Sequence, residues 1–246
     1  MYEKLALFYD SLVLDVDYEK IAGYAISIME RDMEKKASVK ILDAGCGTGS
    51  FILEMKKAGY DPDGFDISQR MVDAANKKLS ENGFEPRVHW GDMTEITVEN
   101  KYDAVFSLLD SINYVIGEEK LLKTFKNIRK ALKADGLFIF DINTPYKFKN
   151  MLKESIFYEI GDEICYLWNC AYNTKSHEIS HELNFFIKEG DLYRRFEERH
   201  IQKIYESETV QGALKEAGFS EINVYDDLTF RKPKEKSLRI YFVCKI

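Results

Sequence analysis

The stretch from Val39 to Ser68, VKILDAGCGTGSFILEMKKAGYDPDGFDIS, constrains the fold more than any other part of the chain. Val39, Ile41 and Leu42 form a short apolar run ending in Asp43. Three glycines follow, and Phe51, Ile52, Met55 and Ala58 then recur at helical spacing up to Gly59. The unit is strand, turn, helix. It repeats at once, with Gly64-Phe65-Asp66 as the next apolar pulse, Ser68 as N-cap, and Met71, Val72, Ala75 and Leu79 on one helical face. An amphipathic segment, Asp17 to Lys36, precedes this region. After it come RVHWGD, YDAVFSLLDS, a lysine-rich amphipathic helix from about Glu118 to Lys133, and GLFIFDIN. Strands alternating with helices predict right-handed crossovers and a largely parallel sheet buried on both faces, a doubly wound α/β domain.

Between about Ser155 and Tyr205 the period changes to two. Ile164, Tyr166, Trp168, Cys170 and Tyr172 alternate with more polar neighbours, as do residues 177 to 187, and a Lys-Glu-Gly-Asp turn precedes Leu192. This predicts an antiparallel β insert at 155–205 within a frame made of residues 1–154 and 206–246. The frame resumes with a helix, Ser207 to Ala217, stopped by Gly218, and strands near Glu221 to Tyr225 and Leu238 to Lys245.

The 246 residues are 45% hydrophobic and 31% charged, the balance of an ordinary globular protein. A net charge of −7 with no lysine or arginine block disfavours a nucleic-acid partner. The start lacks a basic leader, and no apolar run reaches the roughly 18 residues of a membrane span, so a cytoplasmic location with no membrane partner is expected. Cys46, Cys165, Cys170 and Cys244 form no C-x-x-C pair and read as reduced thiols. Nothing in the sequence fixes an oligomeric state.

His177-Glu178-Ile179-Ser180-His181 spells H-E-x-x-H, which on a helix would hold zinc. Here residues 177, 179, 181, 183, 185 and 187 are His, Ile, His, Leu, Phe and Ile, a period of two breached only by Phe186. On a strand the two imidazoles share a face but stand ~13 Å apart, too far for one ion with ~2 Å bonds. No metal is expected.

The glycine loop needs finer reading, because dinucleotide-binding turns look similar. That fingerprint wants glycine or alanine where this chain has Ser50, and it carries no acid before its first glycine. Asp43 there suits a cationic ligand. Asp66, about 20 residues on, sits where a carboxylate accepts both hydroxyls of a ribose, and Asp92 sits where one accepts the amine of adenine. Three acids at successive strand ends outline a nucleoside bound without phosphates.

With these motifs in order, LDAGCGTG (42–49), GFDIS (64–68), GDM (91–93) and YDAVFSLLDSINYV (102–115), the chain resembles the class I S-adenosylmethionine-dependent methyltransferases along most of its length. The resemblance implies a Rossmann-like seven-stranded sheet with its last strand antiparallel and S-adenosylmethionine across the strand ends. By the same likeness the cofactor-binding residues are Tyr9, Asp43, Ala44, Gly45, Cys46, Gly47, Asp66, Ile67, Met71, Gly91, Asp92, Met93, Leu109 and Asp110. The segment LALFYDSL (5–12) and the β insert are similar to small-molecule members, in which such an insert roofs the substrate pocket, and Tyr9 would lie near the sulfonium. The implied reaction is in-line methyl transfer to nitrogen or oxygen of a small-molecule acceptor. Tyr9 and Tyr114, as aromatic faces, and Asp110, as an orienting acid, are its candidate catalytic residues.

The sequence departs from the family in two places. Asp110-Ser111-Ile112-Asn113 stands where nucleic-acid and protein amide N-methyltransferases have Asn/Asp-Pro-Pro-Tyr/Phe. Tyr114 stands where aminosugar enzymes have histidine, leaving Tyr114, His177, His181 and His200 as alternative bases. An RNA or protein acceptor, and a non-catalytic cofactor-binding module, are the competing readings.

Overall fold

The computed structural model describes residues 6, 9–12, 16–34 and 36–246. Leu5, Leu7 and Phe8 of the segment 5–12, and Lys35 of the segment 17–36, lie outside the described residues. Helix α1 (Tyr9–Leu12) is one turn long, and α2 (Tyr18–Asp32) follows, capped by Asp17, whose Oδ1 accepts from Lys20 N at 2.9 Å. The frame then runs β1 (Ile41–Ala44), α3 (Ser50–Lys57), β2 (Asp63–Asp66), α4 (Gln69–Glu81), β3 (Val88–Trp90), β4 (Tyr102–Ser107), α5 (Glu118–Ala131) and β5 (Leu132–Asn143). Helix α5 stops at Ala131, two residues before Lys133. Lys133 already belongs to β5, where its ammonium meets the buried Asp103 at 2.8 Å.

A short α6 (Pro145–Lys147) and a π-turn (Phe148–Leu152) lead into the insert: β6 (Ile156–Ile160), β7 (Ile164–Asn173), β8 (Glu178–Glu189) and β9 (Leu192–Lys203). Helix α7 (Ser207–Ala217), β10 (Glu221–Asp226) and β11 (Arg239–Lys245) complete the frame. The main sheet has seven strands in the order β10-β11-β5-β4-β1-β2-β3, and β11 runs antiparallel between β10 and β5. This is the expected α/β, Rossmann-like architecture, with a separate four-stranded antiparallel sheet in the order β6-β7-β8-β9.

Burial on both faces explains why GLFIFDIN opens with an unbroken apolar run, Leu137 to Phe140. Side chains alternate across a strand, so Phe138, Phe140 and Ile142 face the α5 and α7 layer, while Leu137 and Ile139 face α2 and α3. On the first side Phe140 stacks on Phe138 and Phe242, with ring centroids 4.6 and 4.7 Å apart.

The insert corrects one expectation. His177 is not in the strand: it closes a turn at φ +50°, and β8 begins at Glu178. Asn173 Oδ1 accepts from Lys175 N and Ser176 N at 3.0 and 3.2 Å, an Asx turn that uses up the residues before Glu178. From Ile179 the alternation holds, with Ile179, His181 and Phe185 buried and Glu182 and Phe186 exposed. The H-E-x-x-H segment is therefore turn and strand, a geometry in which its two imidazoles do not converge.

Candidate functional site

The glycine loop leaves β1 and enters α3 over three left-handed residues, Gly45, Gly47 and Gly49, at φ +79°, +54° and +74°. Two of them are also crowded. A Cβ on Gly45 would lie 2.7 Å from Met93 Cε and 3.1 Å from Ser111, and one on Gly49 would lie 2.9 Å from Ala75 Cβ of α4. Gly45 N and Cys46 N donate to Phe65 O at 2.8 and 3.0 Å, which ties the loop to the end of β2.

Asp66 is held by main-chain donors, among them Gly47 N on Oδ2 and Ser68 N on Oδ1, each 2.9 Å. Burial raises its pKa against these bonds. The carboxylate is thereby aimed, with a further lone pair on each oxygen for a diol. Asp92 caps the turn Met93–Glu95, its Oδ1 accepting from Thr94 N and Oγ1 at 2.8 and 2.9 Å. Asp43, 2% exposed in β1, has its pKa pushed up to about 8, first by burial and then by Asp66.

These groups line one cavity of about 260 Å³ along the carboxyl ends of β1, β2 and β3. Of the expected residues it gathers Tyr9, Asp43, Gly45, Cys46 and Gly47, then Asp66, Ile67 and Met71, and finally Gly91, Asp92, Met93, Leu109 and Tyr114. Ala44 is fully buried inside β1 and does not line it, and Asp110 faces elsewhere. Tyr18, Phe65 and Lys120 line it without having been expected. Tyr18 falls at the start of the amphipathic segment, where nothing marks it apart from the other apolar positions. Helix α1 is fastened beside the loop by Asp10, which accepts from Thr48 Oγ1 at 2.7 Å and pairs with Lys78 at 2.8 Å.

A second cavity, of about 240 Å³, lies between the frame and the inner face of the insert sheet. Tyr9 and Tyr114 line both cavities. The insert supplies Tyr166 and Trp168 from β7, His181, Leu183 and Phe185 from β8, and His200 and Gln202 from β9. The frame supplies Asp110, Asn143, Lys147 and Leu152. His177 stays outside, its Nδ1 3.4 Å from Tyr172 Oη.

One hydrogen-bonded chain crosses from insert to frame. Trp168 Nε1 donates to His181 Nδ1 (3.1 Å), His181 Nε2 meets Gln202 Oε1 (3.2 Å), and Gln202 Nε2 donates to Asp110 Oδ2 (2.6 Å). Arg239 then bridges Asp110 Oδ1 (2.6 Å) and Asp141. Leu109 and Asp110 both adopt φ +55°, a strained conformation for non-glycine residues, and their N–H groups donate to Asp141 at 2.7 and 2.9 Å. The buried Asp141 thus holds the turn after β4 in shape. His200 Nε2 lies 3.2 Å from Glu198 Oε2, and its ring meets Tyr114 edge to face at 6.2 Å. Sequence reasoning passed over Lys147, and also Asp141 and Arg239, which are brought together only by the sheet.

Residues 41–136 match a family described as a methyltransferase domain. A protein of Bacillus subtilis (strain 168) named "Putative methyltransferase YqeM" is 30% identical over 244 residues, covering 98% of this chain and 96% of its own. An S-adenosylmethionine-dependent methyltransferase from Clostridium acetobutylicum ATCC 824 has a similar structure, with a TM-score of 0.89 at 30% identity, covering 99% of this chain and 98% of its own. The dTDP-3-amino-3,4,6-trideoxy-alpha-D-glucopyranose N,N-dimethyltransferase of Streptomyces venezuelae is 28% identical over 114 residues, 46% of each chain.

Proposed function

Because the chain belongs to the class I S-adenosylmethionine-dependent methyltransferases, we propose that it methylates a small-molecule acceptor on nitrogen or oxygen. The observation that carries this reading is the pair of tyrosines, Tyr9 and Tyr114, that form a common wall of two cavities, one fringed by the three strand-end carboxylates and one roofed by the insert. When bound, S-adenosylmethionine supplies a methyl group on a cationic sulfur that leaves as a neutral thioether.

The residues present fit that group. Asp66, already aimed by Gly47 N and Ser68 N, takes the ribose hydroxyls; Asp92 keeps an oxygen for the adenine amine; Ile67 and Met71 flank the base. Asp43 serves the cationic amino end. Tyr9 and Tyr114 present aromatic faces to the sulfonium and exclude water. Residues 155–205 act as the lid over the acceptor, and most of the protein's task is alignment, worth ~7–11 kcal/mol when reacting atoms are held at ~3–3.5 Å.

Asp110 bonds Gln202 and Arg239 but, as a carboxylate, retains lone pairs that can orient an acceptor amine. His181 is unsuited to take a proton, since its Nδ1 lone pair is committed to Trp168 and burial brings its pKa down to about 4. His200, beside Glu198 and Tyr114, is the proton acceptor we favour among the histidines. The Streptomyces relative, named for an aminosugar, supports a small acceptor, and the net charge of −7 disfavours RNA. We place the protein in the cytoplasm; among the described residues no helix is long and apolar enough to cross a membrane.

Incubation with methyl-labelled S-adenosylmethionine and a cell extract tests the reading. Label entering small molecules is the expected result; label confined to macromolecules, or no transfer, contradicts it.

A further inference from the structure

The second cavity contains a cation, Lys147, that no carboxylate among the described residues bonds. Lys147, at the end of α6, lines it, and its Nζ donates to Asn143 Oδ1 at 2.9 Å; among the described residues it makes no other hydrogen bond and no ion pair. Asp110, Asp141 and Asp227 act on it only through space, and the first two are bonded to Arg239. Burial first, and Arg239 second, lower its pKa, as expected for a cation lacking a close counter-charge.

An ammonium has three donors and no acceptor, so two of its protons have no protein partner among the described residues. Because the ammonium can only donate, Asn143 must turn its oxygen toward Lys147, which leaves its Nδ2 without a protein hydrogen bond among the described residues. Asn143 lines the same cavity. An ammonium and a carboxamide N–H₂ side by side match the two oxygens and single negative charge of a carboxylate. A phosphate dianion would bring a second charge into a space that already borders the Asp110 carboxylate and whose walls also include Leu152, Trp168, Leu183 and Phe185, where an uncompensated charge is costly.

We infer that the acceptor is a small carboxylic acid with an apolar or aromatic body, its carboxylate anchored by Lys147 and Asn143. The inference rests on the methyltransferase reading above and adds the acceptor's chemical class. Lys147 and Asn143 do not line the cofactor cavity, whereas Tyr9 and Tyr114 line both. The carboxylate is accordingly an anchor at one end, and the atom that takes the methyl lies at the tyrosine end.

Phenylacetate, 3-phenylpropionate and 4-aminobenzoate, each beside its own carboxamide, and phenyl phosphate are titrated calorimetrically into the full chain, with and without saturating S-adenosylhomocysteine. At least one acid is expected to bind about tenfold or more tightly than its amide, with the ratio falling to near one in Lys147→Met and partly restored in Lys147→Arg. The variant's affinity for S-adenosylhomocysteine, whose cavity Lys147 does not line, reports that it is folded. No binding by any acid, equal binding of acids and amides, a ratio that survives Lys147→Met, or tighter binding of phenyl phosphate overturns the inference. Failure of S-adenosylhomocysteine to bind the wild type contradicts the methyltransferase reading instead, and the arm without it still decides the anchor.

Discussion

Trp168 Nε1 lies 3.1 Å from His181 Nδ1, and because an indole N–H can only donate, this single contact fixes the imidazole as its Nε2–H tautomer. The Nε2 proton then goes to Gln202 Oε1, and the Gln202 amide to Asp110, so the direction of the whole chain is set from one ring. Nitrogen NMR of His181 is expected to show the neutral Nε2–H form down to about pH 4.

The same burial gives the fold a pH dependence. His181 has a pKa near 4 in the folded chain, against about 6.5 when unfolded, so the unfolded state takes up the proton first. Its contribution to stability is intact above about pH 6.5 and is lost as pH falls toward 4, by up to ~3 kcal/mol. Urea unfolding from pH 7 to pH 4 is expected to show that loss.

Asp43 titrates in the opposite sense. With its pKa up to about 8 it holds a proton at neutrality in the free protein, and a cationic ligand requires the ionised form. S-adenosylhomocysteine is expected to bind more tightly as pH rises toward 8, with proton release visible as a difference between calorimetric heats in two buffers. Asp43→Asn should remove that release while the ligand's own amine titrates unchanged.

Removing Asp141 is expected to be severe. Asp141→Ala leaves Arg239 with one carboxylate partner fewer in a buried site and frees the left-handed Leu109 and Asp110. A loss of about 3–5 kcal/mol in urea unfolding is expected.

Gly45 is constrained by contact as well as by φ. Gly45→Ala places a methyl 2.7 Å from Met93 Cε and 3.1 Å from Ser111 at a left-handed backbone, a conformation costing ~1–2 kcal/mol for an L residue. Titration is expected to show weaker S-adenosylhomocysteine binding, about tenfold, in a protein that still unfolds cooperatively.

How much of this was legible depended on whether the signal was local. Asp43, Asp66 and Asp92 could be read because each ends or follows an apolar run, so the strand period itself assigns them to one sheet edge. Helix α7 was legible to the residue, since Gly218 supplies the left-handed stop. Strand β6 was not, because all five of its residues are exposed or half-buried and give no alternation. The Arg239 contacts reach 98 and 129 residues along the chain to Asp141 and Asp110, and Lys147 gains its meaning only when the insert folds over it. His177 was misassigned because the alternation continues into a turn that Asn173 builds.

The most direct measurement is calorimetric titration of S-adenosylhomocysteine into the wild type and Asp66→Ala. The account predicts binding at one site per chain, weakened about 10- to 100-fold in Asp66→Ala through loss of the charged hydrogen bonds to the ribose. No binding by the wild type, or undiminished binding by Asp66→Ala, would contradict it.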